Sequence, residues 1–300
     1  MTLRTKWSKG KILFAMFIPC LLYYLIFKYL PIFGIVVAFK NYSLYRGVWA
    51  SDWVGLKYFR LFFSGDDLWL LLRNTFLLGF YNLVFGFAAP IVLALLLNEM
   101  RLRVFKRFVQ TVSYLPHFIS NVVVASMVIV FLSPTGGLLN RMLESLGIGS
   151  VNFMADPSWF RSIYVLSEIW QHVGWESIIY LAALTAIDPA LYEAAGIDGA
   201  NRWQKIRSIT LPGISPTIII LFILKVGSMI EIGFEKVYLL SNPATYASAD
   251  ILSTYVYRTA MVNGNFSYGA AIDLFTAVVS FVFIYSANLL SRRITGNSLW

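Results

Sequence analysis

The chain has 300 residues, of which 58% are hydrophobic and 13% charged, about half the charged fraction usual in a soluble domain. That excludes an ordinary soluble domain and makes the bilayer the expected solvent. The net charge of +9 would suit nucleic acid in a soluble protein, so its distribution must first be tested against membrane topology.

The chain opens with Arg4, Lys6, Lys9 and Lys11, followed by an apolar run that reaches Phe39. The run is too long for a signal-peptide core, and no small-x-small cleavage site follows it, so a retained first span is expected. Cys20 is the single cysteine, which excludes an intrachain disulfide. It follows Phe17-Ile18-Pro19, a poor lipoprotein cleavage context, and reads as a helix residue. Six segments are long and apolar enough to cross about 30 Å of hydrocarbon, namely 12–38, 75–98, 111–133, 161–184, 213–233 and 267–290. Backbone groups in lipid must be satisfied internally, so each is expected to be a helix. The fold class is an all-α integral membrane protein with six transmembrane helices. Pro31, Pro90 and Pro116 read as kinks within spans.

Loop charges set the orientation. The N-terminal basic residues fall on one side with Arg101, Arg103, Lys106 and Arg107, with Arg202, Lys205 and Arg207, and with Arg292 and Arg293. The opposite loops hold Lys40, Arg46, Lys57, Arg60, Arg73, Arg141, Lys236 and Arg258 over more residues. The denser side is expected to be cytoplasmic, with both termini inside. Topology thus absorbs the positive charge, and nucleic acid is not an expected partner. Trp49, Trp53, Tyr58 and Trp69 in the first outer loop suit the membrane boundary. Pro134-Thr135-Gly136-Gly137 and Asp156-Pro157 read as turns.

The loop between the fourth and fifth spans is the most informative. Asp188 can cap a helix beginning at Pro189, and Ala194 and Ala195 propagate it. Gly196 and Gly199 permit a bend, Asn201 can start a second short helix presenting Trp203, Ile206 and Ile209, and Pro212 ends the loop. The result is a helix–bend–helix knob outside the membrane, with small residues for close approach and Glu193 for a partner's cation. The bland alternative, a solvated loop, does not need Trp203, Ile206 and Ile209 together.

The residues Glu193-Ala194-Ala195, Gly199, Ile209 and Leu211-Pro212 resemble the E-A-A-x3-G-x9-I-x-L-P loop of bacterial ABC importer permeases. Shorter phrases are similar to maltose-type permeases for complex oligosaccharides and polysaccharides. They are Trp53-Val54-Gly55-Leu56, Asn74-Thr75, Leu115-Pro116-His117-Phe118-Ile119-Ser120, Thr254-Tyr255-Val256-Tyr257-Arg258 and Leu299-Trp300. The resemblance implies a type I ABC importer permease fold in the bacterial cytoplasmic membrane. It divides the chain into a tail, first span and outer loop over 1–69, a core over 70–290 with the coupling loop at 188–212, and a C-terminal tail over 291–300. It also implies a second permease subunit in a heterodimer, two ATP-binding subunits and an extracytoplasmic solute-binding protein. ATP and Mg would sit on the partner ATPases, with no cofactor on this chain. The sequence has no G-x-x-x-x-G-K-[ST] loop, so no phosphate cradle of that kind is expected.

Ionisable groups at membrane depth cost about 2.5–3.5 kcal/mol each on insertion scales and face a bundle interior or a water-filled path. Glu168, His172, Trp175 and Glu176 share one face of the fourth span, and Lys225, Ser228, Glu231 and Glu235 fall near one face of the fifth. Asp273 and Thr276 are one turn apart in the sixth. Carboxylates and rings suit a polyhydroxylated solute. His172, Trp175, Glu176, Lys225, Ser228, Glu231 and Asp273 are therefore candidate path residues. The competing expectation is pairing across the bundle, for instance Lys225 with a carboxylate. His117 and His172 form no recognisable metal motif, and no catalytic constellation is evident. Two rivals remain at this stage: an ion-gradient-driven secondary transporter, and a membrane-embedded enzyme acting on lipid or glycan.

Overall fold

The computed structural model describes residues 3–230 and 232–295. Among the described residues, four helices are long and apolar enough to cross a membrane, or up to six spans when each of two bent helix pairs is taken as one. The chain forms two compact units, Met1–Gly65 with Val256–Phe275, and Asp66–Tyr255 with Thr276–Trp300.

In the first unit the span Phe14–Phe39 is continuous but not uniform. Leu30 N–H bonds back to the Leu25 carbonyl in a wide π turn, and the chain then tightens into a 3-10 stretch, Leu30–Phe39. Pro31 cannot donate to the ladder, and this change of pitch absorbs the loss. A short antiparallel pair follows, Lys40 opposite Trp53 and Asn41 opposite Asp52. Of the aromatic residues expected at the boundary, Trp49 and Trp53 are exposed, but Tyr58 is buried. Its ring joins Ala38 and Ala271 in a small core, and its hydroxyl donates to Asn41 Oδ1 at 2.6 Å.

The second unit begins its first span at Leu68, earlier than hydropathy placed it, and runs unbroken to Glu99. Pro90 is accommodated because its i−4 partner, Gly86, closes a π turn, Asn82–Gly86. Pro116 acts differently. The expected continuous helix over 111–133 is broken into Arg103–Phe118 and Asn121–Phe131, bent by 103°. Pro116 sits in a tight 3-10 turn, Ile119 is extended, and Ser120 caps the new helix by accepting from Val123 N–H. The carbonyl of Ile119 is satisfied from another helix, by Gln171 Nε2 at 2.9 Å, as a break at membrane depth requires.

Pro157–Thr185 is a single 29-residue helix capped by Asp156. It meets the third span backbone to backbone: a Cβ on Gly174 would lie 2.1 Å from the Ser113 carbonyl oxygen. The fifth span differs most from expectation. It starts at Arg202 rather than 213 and ends at Gly227 rather than 233. Pro212 follows a π turn, Ile206–Thr210, in which Leu211 N–H reaches back to the Ile206 carbonyl; this change of pitch absorbs the missing donor, so the helix continues through Pro212 instead of a loop ending there. Residues 234–262, expected as an outer loop, are largely helical and packed inward. Val237, Leu240, Ala249 and Ile251 join Leu78, Phe160 and Tyr164 in one core.

Candidate functional site

Two regions carry functional geometry, one outside the membrane and one inside it. The outer one is the knob. Asp188 accepts from Ala190 N–H at 2.9 Å and Pro189 fills the first position, so Pro189–Ile197 forms as its sequence dictates. It turns 70° from the fourth span. Gly199, at φ +75°, makes the bend, while Gly196 remains inside the helix. Ala200 N–H reaches back to the Ala195 carbonyl and Gly199 N–H to that of Gly196, the paired bonds of a left-handed helix stop. Asn201 and Gln204 then form a reciprocal capping box at the start of the fifth span. Tyr192 and Thr210 hydroxyls meet at 3.0 Å and tie the two helices together. Glu193, Ala194 and Gly199 are exposed, with Ala195, Ile209 and Leu211 half-buried and Pro212 exposed. Leu191, Ile197 and Trp203 also stand exposed. These apolar side chains stand on the surface together with the carboxylates of Glu193 and Asp198.

The inner region lies along the fourth span. Glu168, His172, Trp175 and Glu176 share a face as their spacing requires, and each has a partner on a neighbouring element. Glu176 pairs with Lys225 at 3.3 Å, the cross-bundle pairing raised as the competing expectation. His172 Nδ1 meets His117 Nδ1 at 3.0 Å, so one imidazole donates there and the other accepts. His117 stacks on Trp175 with centroids 4.6 Å apart and planes 2° from parallel. His172 Nε2 lies 3.8 Å from Glu168. A concavity of about 530 Å³ is lined by Trp175, Glu176, Lys225, Ser228, Phe87 and Tyr180. A smaller one of about 160 Å³ is lined by Glu168, Lys225, Ser228, Asn82 and Tyr164. Lys225 and Ser228 border both.

The structure therefore gathers His172, Trp175, Glu176, Lys225 and Ser228 in one neighbourhood. Ser228 caps the fifth helix rather than lying within it. Glu231 lies outside the described residues. Asp273 is exposed on the Phe266–Thr295 helix, in the first unit, and borders neither concavity. Glu235 lies in the first turn of the helix Phe234–Leu240 and accepts from Asn121 Nδ2 at 2.7 Å.

Sequence reasoning missed the centre of this network. Lys236, counted there as an outer-loop charge, is 1% exposed, ion-paired with Glu168 and hydrogen-bonded to Gln171 Oε1. Gln171 thereby connects Lys236 to the broken third span. The apolar run Phe234, Val237, Tyr238 and Leu240 around Lys236 was the one available signal that this segment is not a loop. Outside the spans, the Asp156 carboxyl is held below its ordinary range by the backbone N–H and then the side chain of Ser158.

Residues 86–296 match the family described as binding-protein-dependent transport system inner membrane component. This chain belongs to that family. The permease is 45% identical over 293 residues to Protein LplB of Bacillus subtilis strain 168, covering 98% of this chain and 92% of that protein. It is 46% identical over 288 residues to the polygalacturonan/rhamnogalacturonan transport system permease protein YteP of the same organism, covering 96% and 90%. Among solved structures it is similar to a chain of a bacterial ABC transporter that imports the acidic polysaccharide alginate. That match has a TM-score of 0.90 and 43% identity, covering 98% of this chain and 99% of the other. The all-α permease fold and its role as a transport subunit are therefore established, and the secondary-transporter and membrane-enzyme readings fall away.

Proposed function

We propose that this permease is one subunit of an ATP-driven importer for an acidic oligosaccharide or polysaccharide. It works with a second permease subunit, two ATP-binding subunits and an extracytoplasmic solute-binding protein. The observation that carries the solute class is full-length similarity above 40% identity both to a polygalacturonan/rhamnogalacturonan permease and to a chain of an alginate importer. A related structure has that importer in complex with an alginate pentasaccharide-bound periplasmic protein. ATP and Mg act on the partner ATPases, and this chain holds no cofactor. The density of Lys and Arg in the knob and tails supports cytoplasmic termini and an inner-membrane location.

The knob is the coupling element. Glu193, Ala194, Ala195 and Gly199 shape the surface that enters the ATPase, while Ile209, Leu211 and Pro212 join it without a break to the fifth span. Motion of the ATPase pair is thus delivered to Lys225 and Ser228. The inner concavity is the solute path. Trp175 offers a ring for the apolar face of a sugar, and Glu176, Lys225 and Ser228 offer polar groups for hydroxyls. Transport then depends on the relative stability of inward- and outward-open states, which the partners bias. The test is uptake of labelled oligogalacturonate by cells carrying or lacking this gene. Loss of uptake on deletion and its return on complementation are expected, and undiminished uptake without the gene would reject the reading.

A further inference from the structure

Near the Pro157 end of the fourth span, one arginine meets the Asn74 side chain and a second meets the carbonyl-rich turn that Asn74 binds. Arg161 Nη2 donates to Asn74 Oδ1 at 3.0 Å. Asn74, itself fully buried, donates to the carbonyls of Ala247 at 3.2 Å and Asp250 at 3.1 Å. Arg73 Nη2 donates to the same Ala247 carbonyl at 3.1 Å. A single neutral donor would satisfy Asn74, so this contact does not by itself call for a guanidinium. The Arg161 Nε is buried without a hydrogen-bond partner, and neither arginine forms an ion pair among the described residues. Arg161 is half-buried and Arg73 exposed, so both guanidiniums keep charge and donors within reach of an anionic ligand. Arg161 also borders a concavity of about 390 Å³, together with Ser158, Ser162 and Tyr81. Asp156, the nearest acid in sequence, is turned to the N–H of Ser158 at 2.9 Å.

We propose that Arg161, reinforced by Arg73, is a carboxylate-binding site for the uronate group of an acidic saccharide at the end of the fourth span remote from the knob. Guanidinium is the side chain suited to a carboxylate, because its edge presents parallel N–H donors. The Ser158 and Ser162 hydroxyls and the Tyr81 phenol supply donors and acceptors for the sugar. Arg161 lies seven residues before Glu168 on nearly the same helical face, about 10 Å along the axis. The site therefore stands in line with Glu168, His172 and Glu176, and an incoming chain engages it before the inner concavity.

This inference rests on the saccharide reading, and one experiment separates their failures. The purified transporter, without binding protein, is titrated with labelled trigalacturonate and with its neutral trimethyl ester. Wild type is expected to prefer the acid by about tenfold, the scale of one charge-assisted contact. Arg161→Gln should abolish that preference while leaving ester binding intact, which also reports a folded protein. Arg161→Lys should keep part of it, and Ser158→Asp, which places a carboxylate beside Arg161, should remove it. No preference in wild type, no binding of either probe, or a preference that survives Arg161→Gln each overturns the site. If deletion of the gene also leaves cellular oligogalacturonate uptake unchanged, the saccharide reading falls as well. If uptake depends on the gene, only the site is lost.

Discussion

Lys236 is the residue on which the interior depends most. Its ammonium is fully desolvated and answered by Glu168 and Gln171. Removing one member of such a pair strands the other, at a cost of about 3–5 kcal/mol. Lys236→Met is therefore expected to lower the thermal unfolding midpoint of the detergent-purified protein. Adding Glu168→Leu should restore much of the loss, because replacing both charges with apolar groups removes the stranded one. A single variant as stable as wild type would contradict this account. None of this was legible in the sequence, because the pairing links residues 68 positions apart across a segment that hydropathy reads as loop. The face bearing Glu168, His172 and Glu176 was legible, because a helix turns its own periodicity into a surface.

At the scale of elements, hydropathy located every span but not the direction of the backbone inside it. The third span's hydropathy gives no sign of a break, and what breaks it is local: a missing donor at Pro116 and a capping hydroxyl at Ser120. The knob was legible because its determinants are local too, from the Asp188 cap to the left-handed stop at Gly199. Its continuation into the fifth span was not, because a proline reads as the end of a loop, and the π turn Ile206–Thr210 that carries the helix through Pro212 leaves no mark in the hydropathy pattern. Gly199→Ala places a Cβ in the left-handed region at a cost of about 1–2 kcal/mol. Combined with Glu193→Lys, it should leave the chain in the membrane at wild-type levels while abolishing transport or association with the ATPase. Wild-type uptake by the well-expressed double variant would sink the coupling role.

At the scale of the whole molecule, the proposed reading gives the chain a path and a lever and leaves the nucleotide to partner chains, since the sequence carries no G-x-x-x-x-G-K-[ST] loop. Calorimetry on the isolated subunit should detect no binding of ATP at micromolar concentrations, and turnover by that subunit would refute the division of labour. The path claim is tested by water access. Cysteines at 172 and 176 in a Cys20→Ser background should react with a small water-soluble thiol reagent faster than a cysteine at Ile223, which is fully buried. Equal rates at all three positions in every trapped state would leave the polar cluster as a structural lock alone. The central claim is that hydrolysis on partner chains is converted here into movement of an acidic saccharide. Its most direct test is uptake of labelled trigalacturonate into proteoliposomes holding the complete transporter, with binding protein on the uptake side and ATP on the other. Accumulation above the external concentration that needs ATP, survives a proton ionophore and is lost in the Glu193→Lys, Gly199→Ala variant is the predicted result. Accumulation that ignores ATP and collapses with the ionophore would contradict it.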